Sequence, residues 1–162
     1  ALIRVYDAKA DLWYNFASKI DFAPKTLGSI TMRDDSPKLA ALRKCPVSTK
    51  ITRVEFDFGW DAEPVVDDEY KTPYYRMYVL FADRVSGKQL TYYSCHPDDI
   101  VDAAFTAWAE LIQQYGRPQT LYLSRPAAVG LFQDFADKLS VKVKIVKRLP
   151  AVQRLFRQDG IV

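Results

Sequence analysis

The side chains with the widest chemical repertoire in this sequence are two cysteines and one histidine. They are Cys45, Cys95 and His96. A zinc site usually takes four ligands, mostly cysteine and histidine, and these three residues fall short of that number. Cys95 and His96 are also neighbours, and neighbouring residues on a strand point to opposite faces, so they make a poor nucleophile–base pair. We predict two reduced cysteines, no metal site and no cofactor; a Cys45–Cys95 disulfide and a reactive Cys95 are the alternatives.

The sequence lacks the motif of a serine hydrolase and that of a glycine-rich phosphate-binding loop. There is no Gly-x-Ser-x-Gly segment, and a serine triad would depend on His96 as its base. The segment Ser94-Cys95-His96-Pro97-Asp98 precedes the strongest helical pattern but lacks the glycines of a phosphate-binding loop. We predict that His96 caps this helix or lies on the surface.

Charge is concentrated in two segments of opposite sign, although the net charge is only +3. Residues 55–69 contain seven carboxylates and no lysine or arginine, whereas residues 138–162 contain seven basic residues and one aspartate. We interpret the acidic segment as a solvated loop, with contact to a protein or to a second copy of the chain as the alternative. The basic segment could meet phosphates, or its lysines could protect an edge strand from pairing. Its candidate binding residues are Lys142, Lys144, Lys147 and Arg148.

Two pairs of tyrosines lie on neighbouring predicted strands, Tyr74 with Tyr75 and Tyr92 with Tyr93. Alternation along a strand sends one ring of each pair to each face of the sheet. Exposed rings beside Arg76 could stack on bases, but packing across strands under a helix is the interpretation we favour.

The elements that must position these residues are clearest after residue 50, in the order β-β-β-α-β-α-β-α. The predicted strands are Ile51–Phe58, Tyr74–Ala82, Lys88–Ser94, Thr120–Leu123 and Val141–Lys147. Helices are predicted to begin at Pro97, Pro126 and Pro150, and Gly116 ends the first of them. Three successive strands followed by alternating helices and strands predict an α/β fold of the mixed type, with a mixed five-stranded sheet covered by helices.

The first 49 residues predict a small α/β extension in front of a domain at 50–162. Within it we predict a strand at Leu2–Tyr6, a helix from Asp7 to about Ile20, a strand at Thr26–Met32 and a helix from Ser36-Pro37 to Pro46. The 49% hydrophobic and 27% charged composition is that of a soluble globular protein, and it excludes disorder and a membrane span. Few cysteines and no secretory signal favour a cytoplasmic location. A start at Ala1 rather than Met favours a piece of a larger protein.

The strand order from residue 50 resembles the ribonuclease H-like fold of ribonucleases H, retroviral integrases and many transposases. That resemblance implies two metal ions held by carboxylates from the first strand, the end of the fourth strand and a helix. Asp57 lies on the first strand and is the catalytic candidate. The fourth strand ends in Tyr122-Leu123-Ser124-Arg125, without a carboxylate, and Asp102, Glu110 and Asp134 on helices match no family motif. The metal-binding set is therefore incomplete.

A second resemblance rests on the run Tyr115-Gly116-Arg117-Pro118-Gln119-Thr120-Leu121-Tyr122-Leu123, followed by a helix, the strand Val141–Val146 and Leu149-Pro150. These residues are similar to an uncharacterised family of bacterial domains of unknown function, over about residues 50–160. That family implies no activity. We therefore predict a non-catalytic binding or interaction domain of a larger bacterial protein, with a protein partner or self-association. The alternatives are a metal-dependent nuclease or recombinase relative, active or degenerate, and a nucleic-acid-binding module that uses the basic C-terminal region.

Overall fold

The computed structural model describes residues 2–7, 12–17, 36–66 and 73–161. Within these residues a two-stranded unit comes first; one helix, three successive strands and then alternating helices and strands follow it. A single 3₁₀ turn at Pro97–Asp99 leads into the second helix. The elements in chain order are β1 (Leu2–Asp7), β2 (Leu12–Ala17), α1 (Pro37–Lys44), β3 (Arg53–Trp60), β4 (Met77–Asp83), β5 (Gln89–Cys95), α2 (Ile100–Tyr115), β6 (Thr120–Leu123), α3 (Pro126–Lys138), β7 (Lys142–Ile145) and α4 (Pro150–Gln158).

The main sheet has five strands in the order β5-β4-β3-β6-β7. Its first three strands pair antiparallel, whereas β6 pairs parallel with both β3 and β7. This arrangement confirms the predicted mixed sheet and its ribonuclease H-like strand order, with the first strand of the series, β3, at the centre. It also places β7 at an edge, which agrees with the interpretation of its alternating lysines as protection against pairing.

Both faces of the sheet are covered by helices. Val54, Phe56 and Phe58 of β3 pack in one core together with side chains of α1, α2 and α3. Leu80 and Ala82 of β4 pack in a second core with α4. Because β3 is covered on both sides, all six of its interior residues are buried, including the charged ones.

Proline and glycine set the ends of the helices. Proline occupies the first helical position of α1, α3 and α4, where its missing N–H costs no helical hydrogen bond. Gly116 ends α2 with a φ of +84°, and a Cβ at this position would lie 2.7 Å from the carbonyl oxygen of Pro46. Glycine is therefore required at this end of α2.

The predicted helix from Asp7 to Ile20 is wrong. Leu12–Ala17 forms β2, which pairs antiparallel with β1 from Asp7↔Leu12 to Leu2↔Ala17. The apolar residues at helical spacing belong to a short run rich in aromatic residues, which favour strands, and pairing with β1 satisfies its backbone groups. The predicted strand at Thr26–Met32 lies outside the described residues.

The other predicted elements are present, with shifts at their ends. The helix after Ser36 is confirmed as α1, whose Leu39 and Leu42 belong to the same core as α2 and β3. The boundary at residue 49 remains a prediction. The strand predicted from Tyr74 begins only at Met77, because Tyr74 makes an isolated bridge with Val65 instead. None of the helices in the described part of the chain has the length and apolar character that a bilayer crossing requires.

Candidate functional site

The centre of the sheet carries two buried carboxylates on one face. Glu55 and Asp57 are two residues apart on β3, so both point to the α4 side, and they are 0% and 5% exposed. An ionised carboxylate in such a place is costly unless it is paired and hydrogen-bonded. Each of the two is paired with a different arginine.

Glu55 fixes the start of α4. Its Oε2 accepts hydrogen bonds from the backbone N–H groups of Ala151 (2.8 Å) and Val152 (3.2 Å), and its Oε1 lies 2.6 Å from Nη1 of Arg84. Leu149 precedes the helix and has no side chain that can cap it. Glu55 therefore supplies the cap from the strand on which α4 packs. Burial raises the pKa of Glu55, and the two backbone N–H groups and Arg84 act against that rise.

Asp57 is held by the two residues that follow β6. Nε of Arg125 lies 3.1 Å from Oδ1 of Asp57, and Oγ of Ser124 donates to Oδ2 at 3.4 Å. The backbone N–H of Phe58 donates to Oδ1 at 3.0 Å, and the Arg125 guanidinium lies 4.9 Å from the centre of the Phe58 ring. Burial raises the pKa of Asp57, while the charge of Arg125 is the largest of the effects that lower it.

The end of the fourth strand of the series thus meets Asp57, but it brings a hydroxyl and a guanidinium instead of a second carboxylate. The helical candidates lie elsewhere: Glu110 accepts a hydrogen bond from the hydroxyl of Tyr93, and Asp134 pairs with Lys138 at 2.9 Å. Glu110 is on α2 and Asp134 is on α3, and both helices pack on the face of the sheet opposite to Asp57. Asp102, also on α2, is exposed. Among residues 36–66 and 73–161, no three metal-binding side chains gather at one place.

The four basic candidates are all exposed and lie along β7 and the segment after it. Lys142 and Lys144 are on β7, and Nζ of Lys144 is 5.8 Å from the centre of the Tyr122 ring. Arg148 lines a groove of about 830 Å³ together with Arg84, Arg154 and Arg157. Sequence reasoning singled out Arg148 as a binding residue and counted Arg154 and Arg157 in the same basic segment, but it missed Arg84, which the fold brings to them from the turn after β4.

The interpretation of residues 55–69 as a solvated loop was wrong for the two carboxylates on β3. Glu55 and Asp57 belong to a strand that is covered by α4, a helix about 95 residues further along the chain. Oδ2 of Asp61 accepts a hydrogen bond from the Tyr78 hydroxyl at 2.8 Å, whereas Glu63 is exposed. The remaining acidic residues, 67–69, lie outside the described part of the chain.

The predictions for the two cysteines and for His96 hold. Both cysteines are free, and burial raises the pKa of Cys95 to about 11, which leaves little thiolate at neutral pH. Nδ1 of His96 accepts a hydrogen bond from the backbone N–H of Asp98 at 3.2 Å, so His96 caps the 3₁₀ turn before α2. The tyrosine prediction holds for one of the two pairs. Tyr92 and Tyr93 pack against opposite cores, as strand alternation predicted. Tyr74 and Tyr75 precede β4 instead of lying on it, and Tyr75 is 49% exposed, so the predicted packing under a helix is wrong for Tyr75.

Comparison with known families gives one decisive match. Residues 38–158 match the domain of unknown function DUF6930. The chain belongs to the DUF6930 family. A search of curated proteins finds no match to this DUF6930 domain.

Among solved structures, retroviral integrases are similar to the DUF6930 domain. The catalytic core of HTLV-2 integrase in complex with magnesium (dimeric form) has a TM-score of 0.47 and 17% identity over 68% of this chain and 66% of that one. The catalytic core of BIV integrase has a TM-score of 0.46 and 11% identity over 68% of this chain and 64% of that one. A chain of the simian T-cell lymphotropic virus intasome in complex with PP2A regulatory subunit B56 gamma has a TM-score of 0.45 and 13% identity over 83% of this chain and 47% of that one. The DUF6930 chain spans less than two thirds of the length of each of these three chains.

Proposed function

We propose that this DUF6930 domain is a non-catalytic binding domain. The observation that carries the proposal is the ion pair between Arg125 and Asp57, with 3.1 Å between Nε and Oδ1. Asp57 is the carboxylate that the ribonuclease H-like strand order offers for metal binding, and its cationic partner is part of the protein itself.

The neighbouring groups make a metal ion a poor substitute for Arg125. A divalent cation needs several hard oxygen ligands that converge within a few ångströms, and two-metal catalysis needs two such cations. The other buried carboxylate of β3, Glu55, is already bound to α4 and to Arg84. A cation at Asp57 would have to displace Arg125 or lie beside its positive charge. We infer that Asp57 serves to hold β3 against the end of β6.

The competing function is that of a metal-dependent nuclease or recombinase relative. The position of Asp57 on the first strand of the series supports this alternative. Incubation of labelled single-stranded and double-stranded DNA and RNA with millimolar Mg²⁺ or Mn²⁺ separates the two. We expect no metal-dependent cleavage by the wild-type domain or by Asp57→Asn. The matched control is Glu63→Gln, which changes an exposed carboxylate. Cleavage that requires the metal, survives Glu63→Gln and disappears in a folded Asp57→Asn variant would overturn the proposal.

We further propose that the domain acts as an interaction module within a larger cytoplasmic protein of bacterial origin. Two free thiols, at Cys45 and Cys95, fit a reducing compartment, where disulfides are rare. Size-exclusion chromatography with light scattering tests self-association. A concentration-dependent dimer supports a second copy as the partner, whereas a monomer at all concentrations excludes it.

A further inference from the structure

A groove of about 830 Å³ lies between α4 and the turn that joins β4 to β5. We call it the arginine groove. Its lining contains four arginines and no carboxylate: Arg84, Arg148, Pro150, Gln153, Arg154, Arg157 and Gln158. A smaller cavity of about 150 Å³ adjoins it and adds Ser86 and Gly87 of the turn to the same surface.

The sequence of α4 explains why the arginines collect on this side. Ala151, Val152 and Phe156 of the helix are buried against the sheet. The outward face of the helix carries Arg154 and Arg157, which are three residues apart and close enough for their like charges to repel. The helix contains no acidic residue that would relieve this repulsion.

Two of the four guanidinium groups are held in place by the protein. Arg84 is fixed by Oε1 of Glu55 at 2.6 Å and by the Tyr122 ring, whose centre is 4.4 Å from its Cζ. Nη2 of Arg154 donates to the carbonyl oxygen of Gly87 at 2.8 Å. A Cβ on Gly87 would lie 2.0 Å from that Nη2, and φ at Gly87 is +71°, so glycine is what allows Arg154 to lie against the turn.

Those contacts orient the arginines without using up their donors. A guanidinium has five N–H groups, and the bonds just described take one from each of the two residues. The planar fork of the group matches two oxygens of a phosphate at once, which a lysine cannot do. Four such groups around one open groove are therefore suited to several phosphate oxygens.

We propose that the arginine groove binds a ligand that carries a chain of at least two phosphate groups. The proposal deepens the binding role given above and rests on it. The groove has no aromatic lining on which a base could stack, so its chemistry selects phosphate and not nucleobase. Lys144 of the edge strand β7 has its Nζ 5.8 Å from the centre of the Tyr122 ring, against which Arg84 also packs, and so continues the positive charge toward that edge.

The test measures binding of two probes to the full chain at low salt. One probe is a fluorescently labelled single-stranded oligonucleotide, whose binding is measured by fluorescence anisotropy. The other is inorganic tripolyphosphate, whose binding is measured by calorimetry and by its competition with the oligonucleotide. The variant Arg154→Gln/Arg157→Gln removes two charges from the groove. Its matched control, Lys44→Gln/Lys50→Gln, removes two exposed charges that do not line the groove.

We expect Arg154→Gln/Arg157→Gln to weaken binding about 10-fold or more, because each lost bond joins two charged groups. The control variant should bind nearly as the wild type does. For the oligonucleotide, the slope of log affinity against log salt should fall by about 1.4, since two phosphate contacts are lost from a single strand. Thermal unfolding is measured for both variants to check that they are folded.

The two probes distinguish the source of the phosphates. Displacement of the oligonucleotide by tripolyphosphate identifies a free phosphate chain as sufficient, whereas binding of the oligonucleotide alone identifies the backbone of a nucleic acid. Absence of binding by both probes at low salt overturns the proposal, and so does binding that Arg154→Gln/Arg157→Gln leaves unchanged. The two proposals fail by different results. Metal-dependent cleavage would contradict the non-catalytic role, whereas absent or unchanged binding would contradict the phosphate site in the arginine groove.

Discussion

Replacement of Arg125 by methionine leaves Asp57 without its cationic partner. Methionine keeps much of the length and the contact with Phe58 but removes the guanidinium that lies 3.1 Å from Oδ1. The carboxylate would remain buried, with hydrogen bonds from the backbone of Phe58 and from Ser124 alone. The ionised form of Asp57 should therefore become more costly in the folded state.

The magnitude follows from the exposure of the two partners. Removal of one member of a buried ion pair costs about 3–5 kcal/mol. The side chain of Arg125 is 43% exposed, so solvent screens part of its charge, and we expect a loss of about 2 kcal/mol in the free energy of unfolding at neutral pH. For a chain of 162 residues that loss corresponds to a fall of roughly 4–8 °C in Tm.

The effect of Arg125→Met should depend on pH in a defined direction. Burial already raises the pKa of Asp57, and loss of Arg125 removes the largest effect that lowers it, so the pKa rises further. A raised pKa in the folded state contributes stability below the unfolded pKa, which is lost as pH rises through the folded pKa. The difference between wild type and Arg125→Met should thus be small near pH 4, about the ordinary pKa of an aspartate, and largest at neutral pH.

The assay is urea unfolding at both pH values for wild type, Arg125→Met, Asp57→Asn and the double variant. We expect a coupling energy between Arg125 and Asp57 of about 1 kcal/mol or more at neutral pH, well above the roughly 0.5 kcal/mol within which independent sites add. The matched control, Arg157→Met, changes an exposed arginine on α4 and should cost less than about 0.5 kcal/mol. Additive effects of Arg125→Met and Asp57→Asn would refute the reasoning.

Three further predictions concern other parts of the fold. Glu55→Ala should cost about 3 kcal/mol and lower the hydrogen-exchange protection of the Ala151 and Val152 amides, because the cap of α4 and the partner of Arg84 are lost together; unchanged protection of those amides would contradict this, and Glu63→Ala is the control. Cys95 should resist iodoacetamide near neutral pH in the folded protein and react after unfolding, since its pKa is raised to about 11, and rapid native-state labelling would show that burial does not suppress the thiolate. Gly116→Ala should lower the free energy of unfolding by about 1–3 kcal/mol, because a Cβ would meet the Pro46 carbonyl oxygen and φ is +84°; an unaltered urea midpoint would argue against the strain.

The elements after residue 50 could be predicted because their signals are local. Alternation of Val54, Phe56 and Phe58 with polar residues marks β3, and prolines mark the starts of the helices. The strand Thr120–Leu123 was predicted with the bounds that the structure has. Local periodicity failed at Leu12–Ala17, where a short apolar run fits a helix and a strand equally well and the partner strand β1 decides between them.

The site could be predicted only in part, because its pairs join distant segments. Alternation places Glu55 and Asp57 on one face of β3, but only the packing of α4 makes that face buried. Arg84 and Arg125 are 29 and 68 residues from their carboxylates, and composition does not distinguish a paired arginine from a solvated one. The signal that could have found them is the pair of carboxylates at strand spacing, which lies on the first strand of the series and alternates with the apolar residues Val54, Phe56 and Phe58.

The same limit explains the arginine groove. Arg148, Arg154 and Arg157 stood out as part of a basic segment, but Arg84 joins them only because the β4–β5 turn lies against α4. Lysines on β7 had a structural explanation as edge-strand residues, and the strand order confirms that position.

The central claim is that Arg125, and not a metal ion, is the cationic partner of Asp57. Paramagnetic broadening of backbone amide signals by Mn²⁺ tests it most directly, because a bound Mn²⁺ ion broadens only nearby signals. We predict that millimolar Mn²⁺ leaves the amide signals of Phe58, Ser124 and Arg125 sharp in the wild-type protein. Selective broadening of these three signals, abolished by Asp57→Asn and reversed by excess Mg²⁺, would show a metal ion at Asp57 and contradict the account.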